Sequence, residues 1–587
     1  MKKIPAIDAQ WKGLLPGKFL GDIYQANNID LEIQPGKVAL PLRPIILIDS
    51  SDITMGLPLH ALRTDADTTD RWWVLTDGGM IKVPSTSPFG AYVADALSNS
   101  PATPLDMVVH EKNNGNDRLL VTRAQDVAIL NRSGANNAWT ASWWQGTLGQ
   151  SALTNNVPHP IEKFQRLVAL GDDYQIHTID KDDNVTYGRL QANQRLSVRC
   201  IYVSTNRFWF YFTNKFGGKG MIAEWDSFSD KFNGEYELEG IPLAGFVYKN
   251  TPFVILDSGV IMQFNGNGFE YFTEFPLYME RLRFNSEAIK THGIVVDGDY
   301  VHMNVSMGLN NTSYRMRSGV WVLNIKTGNI YPRWSLGNHK VVNTDIDFGQ
   351  TMTNAAGMLI NPFQNGDAFL IGSQPFADVS SAGSSALYYP FGVINHRGYI
   401  VTNPMATSEV DEFWSTLWLR FRKFDNANNK IVAKYRISEG LFQSNSTITR
   451  PQCTVLWTGA TTFTGVLPTG IAVGNEVEIM AGDNSSCCFH IKTLSATPNG
   501  IATITVTIDE TAPYTSSRHA VARFDDWVKI TNNNPITSST IRTQYQTLGS
   551  PTALTGPYVQ FKIELRGALA ELDQLQVDSD VQRDADL

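Results

Sequence analysis

RFWFYFTNKFGGKGMIAEWD, residues 207–226, decides the fold class. It holds an aromatic run, a polar glycine-bearing turn and a second apolar run, which is the usage of short strands joined by a tight turn. The same unit recurs as RWWVLTDGGMIKVP at 71–84, RLLVTRAQDVAILN at 118–131, RLVALGDDYQIHTID at 166–180 and TPFVILDSGVIMQFNG at 251–266. A longer copy, DYVHMNVSMGLNNTSYRMRSGVWVLNIKTGNIYPRW, spans 299–334 and adds an aromatic third strand. The starting residues Arg71, Arg118, Arg166, Arg207, Thr251 and Asp299 fall 41 to 48 residues apart. That is the period of one four-stranded propeller blade, which stacks on its neighbours because it cannot bury both faces alone. Asp77-Gly78, Ser258-Gly259 and Thr327-Gly328 stand where hairpins reverse. A further unit is expected at 340–392, around KVVNTDIDFG and DAFLIGSQPF. The spacing thus predicts an all-β chain with a β-propeller of about seven blades over 50–395, six or eight being the neighbouring counts.

Outside the repeat, residues 1–49 read as an N-terminal arm and strand, with Pro35, Pro41 and Pro44 suited to arms and edges. After 395 the period stops. FWSTLWLRFRKFD at 413–425, with outward charges at Arg420 and Arg422, KIVAKYRISEG, and PYVQFKIELRGALAELDQLQVDSD at 557–580 read as strands, a second one near the end running from Leu575 to Val577. They predict a β-sandwich built from 396–452 and 524–580. The intervening 453–523 carries about four or five short strands with Gly and Pro turns and reads as an inserted small β-barrel. The tail 581–587 is polar and expected to fray.

The 587-residue length exceeds one core, and 42% hydrophobic against 18% charged residues excludes disorder of the whole chain. The aromatics number 14 Trp, 20 Tyr and 29 Phe, and helix-forming runs are scarce. A net charge of −9 with scattered Lys and Arg argues against a protein that grips nucleic acid, which needs clustered cations, yet suits a wall past which DNA moves. Cys200, Cys453, Cys487 and Cys488 form no paired CxxC motif, so free thiols are expected, with Cys487 and Cys488 on opposite strand faces. The N-terminus lacks an apolar signal region, no run approaches about 18 apolar residues, and neither secretion nor membrane insertion is expected.

Candidate catalytic features each have a simpler reading. Asp297 with Asp299, and Asp172 with Asp173, are carboxylate pairs of the kind a glycosidase needs, but both stand at expected turns. DKDDNVTYG at 180–188 lacks the glycine and terminal Glu of a calcium loop and fits a hairpin tip. The ten histidines make no HxH or HExxH pair, His490 reads as a strand residue, and GxSxG, P-loop and GxGxxG motifs are absent. No catalytic residue, cofactor or metal ligand is therefore expected. Trp143 and Trp144 in TASWWQG could stack on sugar rings; packing between blades is the favoured reading.

The arrangement resembles bacteriophage tail proteins. NNIDLEIQPGKVALPLRP at 27–44 is similar to the segment leading into their degenerate blades, GVWVLNIKTGNIYPRWS to their blade hairpins, and GPYVQFKIELRGALAELDQLQVDSD to the segment closing their sandwich. The resemblance covers most of the chain and is architectural. Among these families it points first to the tail nozzles of short-tailed phages, although this chain is somewhat short for them. It implies a structural virion protein, not an enzyme, assembled in the host cytoplasm into a ring, a hexamer by preference, among other tail, adaptor or fibre proteins, with genomic DNA in transit. The alternative is a carbohydrate- or receptor-binding propeller, with or without hydrolase activity, using Trp143 or Trp144. A cellular scaffold is a third reading, disfavoured by the lack of a WD-type signature.

Overall fold

The computed structural model describes residues 2–3, 23–31, 37–42, 44–49, 57–64, 71–77, 79–84, 104–111, 117–131, 138–277, 283–306, 318–335, 356–360, 370–373, 386–390, 397–403, 405–406, 412–421, 429–438, 452–482, 487–513, 519–530, 535–536, 543–547, 558–567 and 570–581. Its regular structure is almost entirely antiparallel β.

Small sheets succeed one another along the chain. The first is three-stranded, Pro58–Thr64, Arg71–Thr76 and Gly79–Pro84. The second begins at Pro104–Glu111, the third at Ile161–Phe164, the fourth at Leu196–Val203, the fifth at Pro242–Tyr248 and the sixth at Ile294–Asp297, each with four strands in sequence order. The seventh takes Ala356–Ile360, Leu370–Ser373 and Ala386–Pro390, and its outer strand is Pro44–Asp49 from far upstream. The first strand of each sheet adjoins the first strand of the next, and that of the seventh adjoins that of the first, so the array is a closed cycle.

Each quoted repeat unit supplies the second and third strands of a sheet. These are covered on both faces by neighbouring sheets, so Phe208–Asn214 begins with five buried residues and reads as a solid apolar run. Outer strands alternate instead, as in Gly234–Glu237. Gly259 and Gly328, at φ of 85° and 72°, take the left-handed turn positions expected of them. In the expected unit at 340–392, KVVNTDIDFG lies outside the described residues.

The expected arm does not stand apart from the domains. Ile23–Asn27 pairs with Arg397–Thr402, Lys2–Lys3 pairs with Leu572–Val581, and Pro44–Asp49 covers the edge that Ala386–Pro390 would otherwise leave open. The boundary expected at residue 49 therefore separates a strand from its own sheet.

Two further sheets follow. One orders Lys2–Lys3, Leu572–Val581, Glu412–Phe421 and Thr543–Thr547. The other orders Ile23–Asn27, Arg397–Thr402, Tyr558–Arg566, Lys430–Ser438 and Val528–Lys529. Leu417, Leu419 and Leu575 of one share a core with Ile400, Phe561 and Ile563 of the other, and that core continues into Leu243, Phe253 and Trp321 of the fifth and sixth small sheets. Arg420 is exposed, as its alternation suggests; Arg422 lies outside the described residues. The inserted segment closes into a six-stranded barrel from Gln452–Gly459 to His519–Asp525, with its own core around Trp457, Phe463 and Phe489. Cys487 faces that core, whereas Cys488 packs with Tyr399, Val401 and Trp527, so the adjacent thiols do point to opposite faces.

The seam of the cycle is tight. A Cβ on Gly357 would stand 2.0 Å from the Pro58 carbonyl oxygen and 3.1 Å from that of Gly372. Gly357→Ala is expected to cost at least about 1–3 kcal/mol, since backbone at a packed seam cannot yield cheaply. Hydrogen exchange should accelerate at 58–64 and 356–360 and stay unchanged in the barrel; unchanged exchange at the seam would refute the tight closure.

Candidate functional site: a His–Asp–His cluster within the cycle

A repeated triplet opens several first strands: Pro58-Leu59-His60, Pro104-Leu105-Asp106, Pro160-Ile161-Glu162 and Pro242-Leu243-Ala244. Proline has no ladder donor and suits a strand's start or a bulge. The register indeed slips between Pro58 and His60, Pro104 and Asp106, and Pro242 and Ala244. A bulge re-aims the side chain beside it. Here His60 and Asp106 meet each other and His292, which lies just ahead of the sixth sheet's first strand.

His60 Nδ1 lies 3.0 Å from Asp106 Oδ1, and His292 Nε2 lies 2.8 Å from the same oxygen. The imidazoles stack with centroids 3.3 Å apart and planes within 6°. Backbone donors fix the carboxylate: the Met107 N–H donates to Oδ1 at 2.8 Å and the Ile161 N–H to Oδ2 at 3.1 Å. His60 and Asp106 are buried, and the His292 side chain retains 20% exposure. The first, second, third and sixth sheets are thus tied together at one point.

The charges differ among these groups. Burial pushes the Asp106 carboxyl up, but His292 and then His60 outweigh it and hold it well below the usual carboxylate range. Burial, with His292 beside it, brings His60 down to about 4. His292 is also disfavoured as a cation by burial, yet Asp106 prevails and its pKa is raised. Burial pushes Glu162 up to about 7.

The Glu162 shift has a definite sign. The folded state holds the Glu162 proton more tightly than the unfolded chain, so its contribution to stability is present below pH about 4.5 and is lost as pH rises to about 7. His60 acts oppositely, its contribution growing from pH about 4 to 6.5. Glu162→Gln isolates the first effect: it should stabilise the protein at pH 8 by up to about 3 kcal/mol and change little at pH 4.5. Thermal midpoints of both proteins at the two pH values check this; equal shifts at both would contradict it.

The three donors could hold a metal, since their ligating atoms all lie within 4.8 Å of one another. A second group of ligand type, Glu476, Glu478 and Cys488, is filled differently. Lys562 Nζ lies 2.5 Å from Glu476 Oε1 and 3.3 Å from Cys488 Sγ, and Lys434 Nζ lies 2.6 Å from Glu476 Oε2. Ammonium groups stand there in place of an ion.

The other residues singled out from sequence serve local structure. Trp143 and Trp144 lie on a short π-helical turn, Trp143–Thr147, rather than on the outer strand Ala138–Thr140. They are 4% and 0% exposed and pack between the second and third sheets. Trp144 Nε1 donates to the Ser151 carbonyl oxygen at 2.8 Å, and the Arg118 guanidinium lies 5.7 Å from the Trp143 ring centre. Neither indole offers an open face to a sugar. Asp297 and Asp299 flank Gly298 in a hairpin, where Asp299 accepts from Tyr248 Oη at 2.5 Å. Asp173 takes a positive φ in the expected turn, while Asp172 is buried and accepts from His177 Nε2 at 3.3 Å and the Thr154 N–H at 2.9 Å. Asp180 closes its hairpin tip by accepting from the Asp182 and Asn184 N–H groups. His490 is a strand residue against the Trp527 carbonyl oxygen.

No family model and no curated protein matches the chain. Solved structures with a likeness include a chain from the complex of BBS1N with ARL6DN, at 10% identity and TM-score 0.37, covering 60% of this chain and 98% of that one. The computationally designed Ika8 protein matches at 10% identity and TM-score 0.33, over 55% and 81% of the two chains. A chain of a nidogen/laminin complex matches at 11% identity and TM-score 0.24, over 36% and 74%. Likenesses at these scores carry no functional argument.

Sequence reasoning missed the cluster because its members lie 46 and 186 positions apart. The signal for two of them was the recurring proline–aliphatic pair and the residue that follows it, polar in three of the four copies. Nothing comparable marks His292.

Proposed function

We propose that this chain is a structural protein of a bacteriophage tail, a ring-forming nozzle built on a seven-bladed propeller that carries a sandwich and an inserted barrel. The observation that carries the reading is how the chain is woven. Residues 23–27 are held in a sandwich sheet, residues 44–49 edge the last small sheet, and residues 2–3 lie against 578–579. Tension on any one segment is shared by sheets from distant parts of the chain, as suits a part under load. The four thiols are buried, which supports a role without thiol chemistry.

In this reading DNA passes between subunits and not through one propeller, because His292, His60 and Asp106 meet within the cycle. The subunits form a closed head-to-tail ring, proposed as a hexamer in the virion, with contacts in the sandwich. The net charge of −9 keeps passing phosphates free. Locating the chain in purified virions tests the assignment, and particle images with a symmetry other than six at this component exclude the nozzle. Titration of labelled duplex DNA at physiological salt should show no binding; micromolar affinity that weakens steeply with salt overturns the passive role.

A further inference from the structure

We propose that His60, Asp106 and His292 form a binding site for a divalent ion of the zinc type, which staples the first, second and sixth small sheets together. The donor set is two imidazoles and a carboxylate, a combination suited to zinc and its first-row neighbours.

Geometry supports the site in two ways. Around a tetrahedral ion with bonds of about 2.0–2.1 Å, neighbouring ligand atoms stand about 3.3 Å apart. The two nitrogens lie 3.0 and 2.8 Å from Asp106 Oδ1, within a few tenths of an ångström of that edge. The Met107 and Ile161 N–H groups orient the carboxylate toward the imidazoles, the outer support that metal-bound carboxylates use. The four cysteines are all buried, so no exposed thiol competes for a soft ion. Parallel rings keep the two lone pairs from converging, so binding requires one imidazole to turn out of its stack. His292, the more exposed, is the one that turns. Binding also displaces the protons now shared with Asp106, so affinity falls as pH is lowered.

The test uses the full chain, freed of metal by a chelator and titrated with Zn²⁺ against a competing indicator. One equivalent is expected to bind and to raise the thermal midpoint. His60→Gln and His292→Gln should each weaken binding by about 100-fold or more. If either variant folds poorly, X-ray absorption of the Zn²⁺-loaded wild type decides, with two imidazole ligands expected. Absence of a stoichiometric site, binding retained by both variants, or a spectrum without imidazole overturns the proposal. Failure here leaves the tail-protein reading untouched, since that is tested on virions.

Discussion

Lys562→Met is expected to cost about 3–5 kcal/mol, seen as a lower denaturant midpoint reported by the fluorescence of Trp527, whose ring centre lies 6.0 Å from the ammonium. Lys562 and Lys434 are cross-strand partners in register, like charges directly opposite each other. Such a pair is unfavourable alone. Glu476, from the barrel, resolves it by accepting from both ammonium groups at 2.5 and 2.6 Å. All three side chains are at most 1% exposed. Around them Arg523 pairs with Glu478 at 2.6 Å and Arg566 with Glu564 at 2.9 Å. Burial opposes the charged form of each lysine, yet Glu476 and Glu564 around Lys434, and Cys488 followed by Glu476 and Glu478 around Lys562, hold both pKa values above the ordinary range. Removing one ammonium leaves part of the Glu476 charge buried without its partner. A loss below about 1 kcal/mol would mean that water enters the junction and screens it.

Asp30→Asn is expected to loosen the attachment of the small-sheet array to the sandwich, at a cost of about 3 kcal/mol. Asp30 is fully buried and meets Arg333 Nη2 at 3.0 Å. The Arg333 guanidinium stacks on Trp334 at 4.6 Å and is itself 2% exposed. His302 nearby cannot replace the lost charge, since burial and then Arg333 hold it neutral. The contact is reinforced where the Ser335 N–H donates to Asn28 Oδ1 at 2.6 Å and Trp334 Nε1 to the Leu42 carbonyl oxygen at 2.7 Å. Limited proteolysis should cut the variant between residues 23 and 42 faster than the wild type, with the barrel resistant in both. Identical digestion would show that these flanking hydrogen bonds suffice.

The fold class was legible because central strands of stacked sheets are apolar throughout, and that signal survives even when the repeats share few residues. Tyr558–Arg566 shows where such reading stops. Its alternation correctly separates Val559, Phe561, Ile563 and Leu565, which face the core, from Gln560, Lys562, Glu564 and Arg566. Alternation alone assigns the charged face to water. The barrel covers that face instead, and no local pattern encodes an insertion folding back over the strand that follows it. The small cluster escaped for a similar reason: cyclic closure, not spacing along the chain, brings His292 beside His60. The outer strand of the seventh sheet was missed because its partner lies more than three hundred positions away.

That last pairing has a consequence for biosynthesis. Residues 44–49 leave the ribosome long before residues 386–390, and at 5–20 residues per second the delay is roughly 20–70 s. During this interval the cycle has no end to join. The early strand waits as an unpaired edge, and so does Ile23–Asn27, whose partner at 397–402 is later still. Neighbouring nascent chains on one message could exchange these strands, so widely spaced initiation with fast elongation should raise the yield of correctly closed protein.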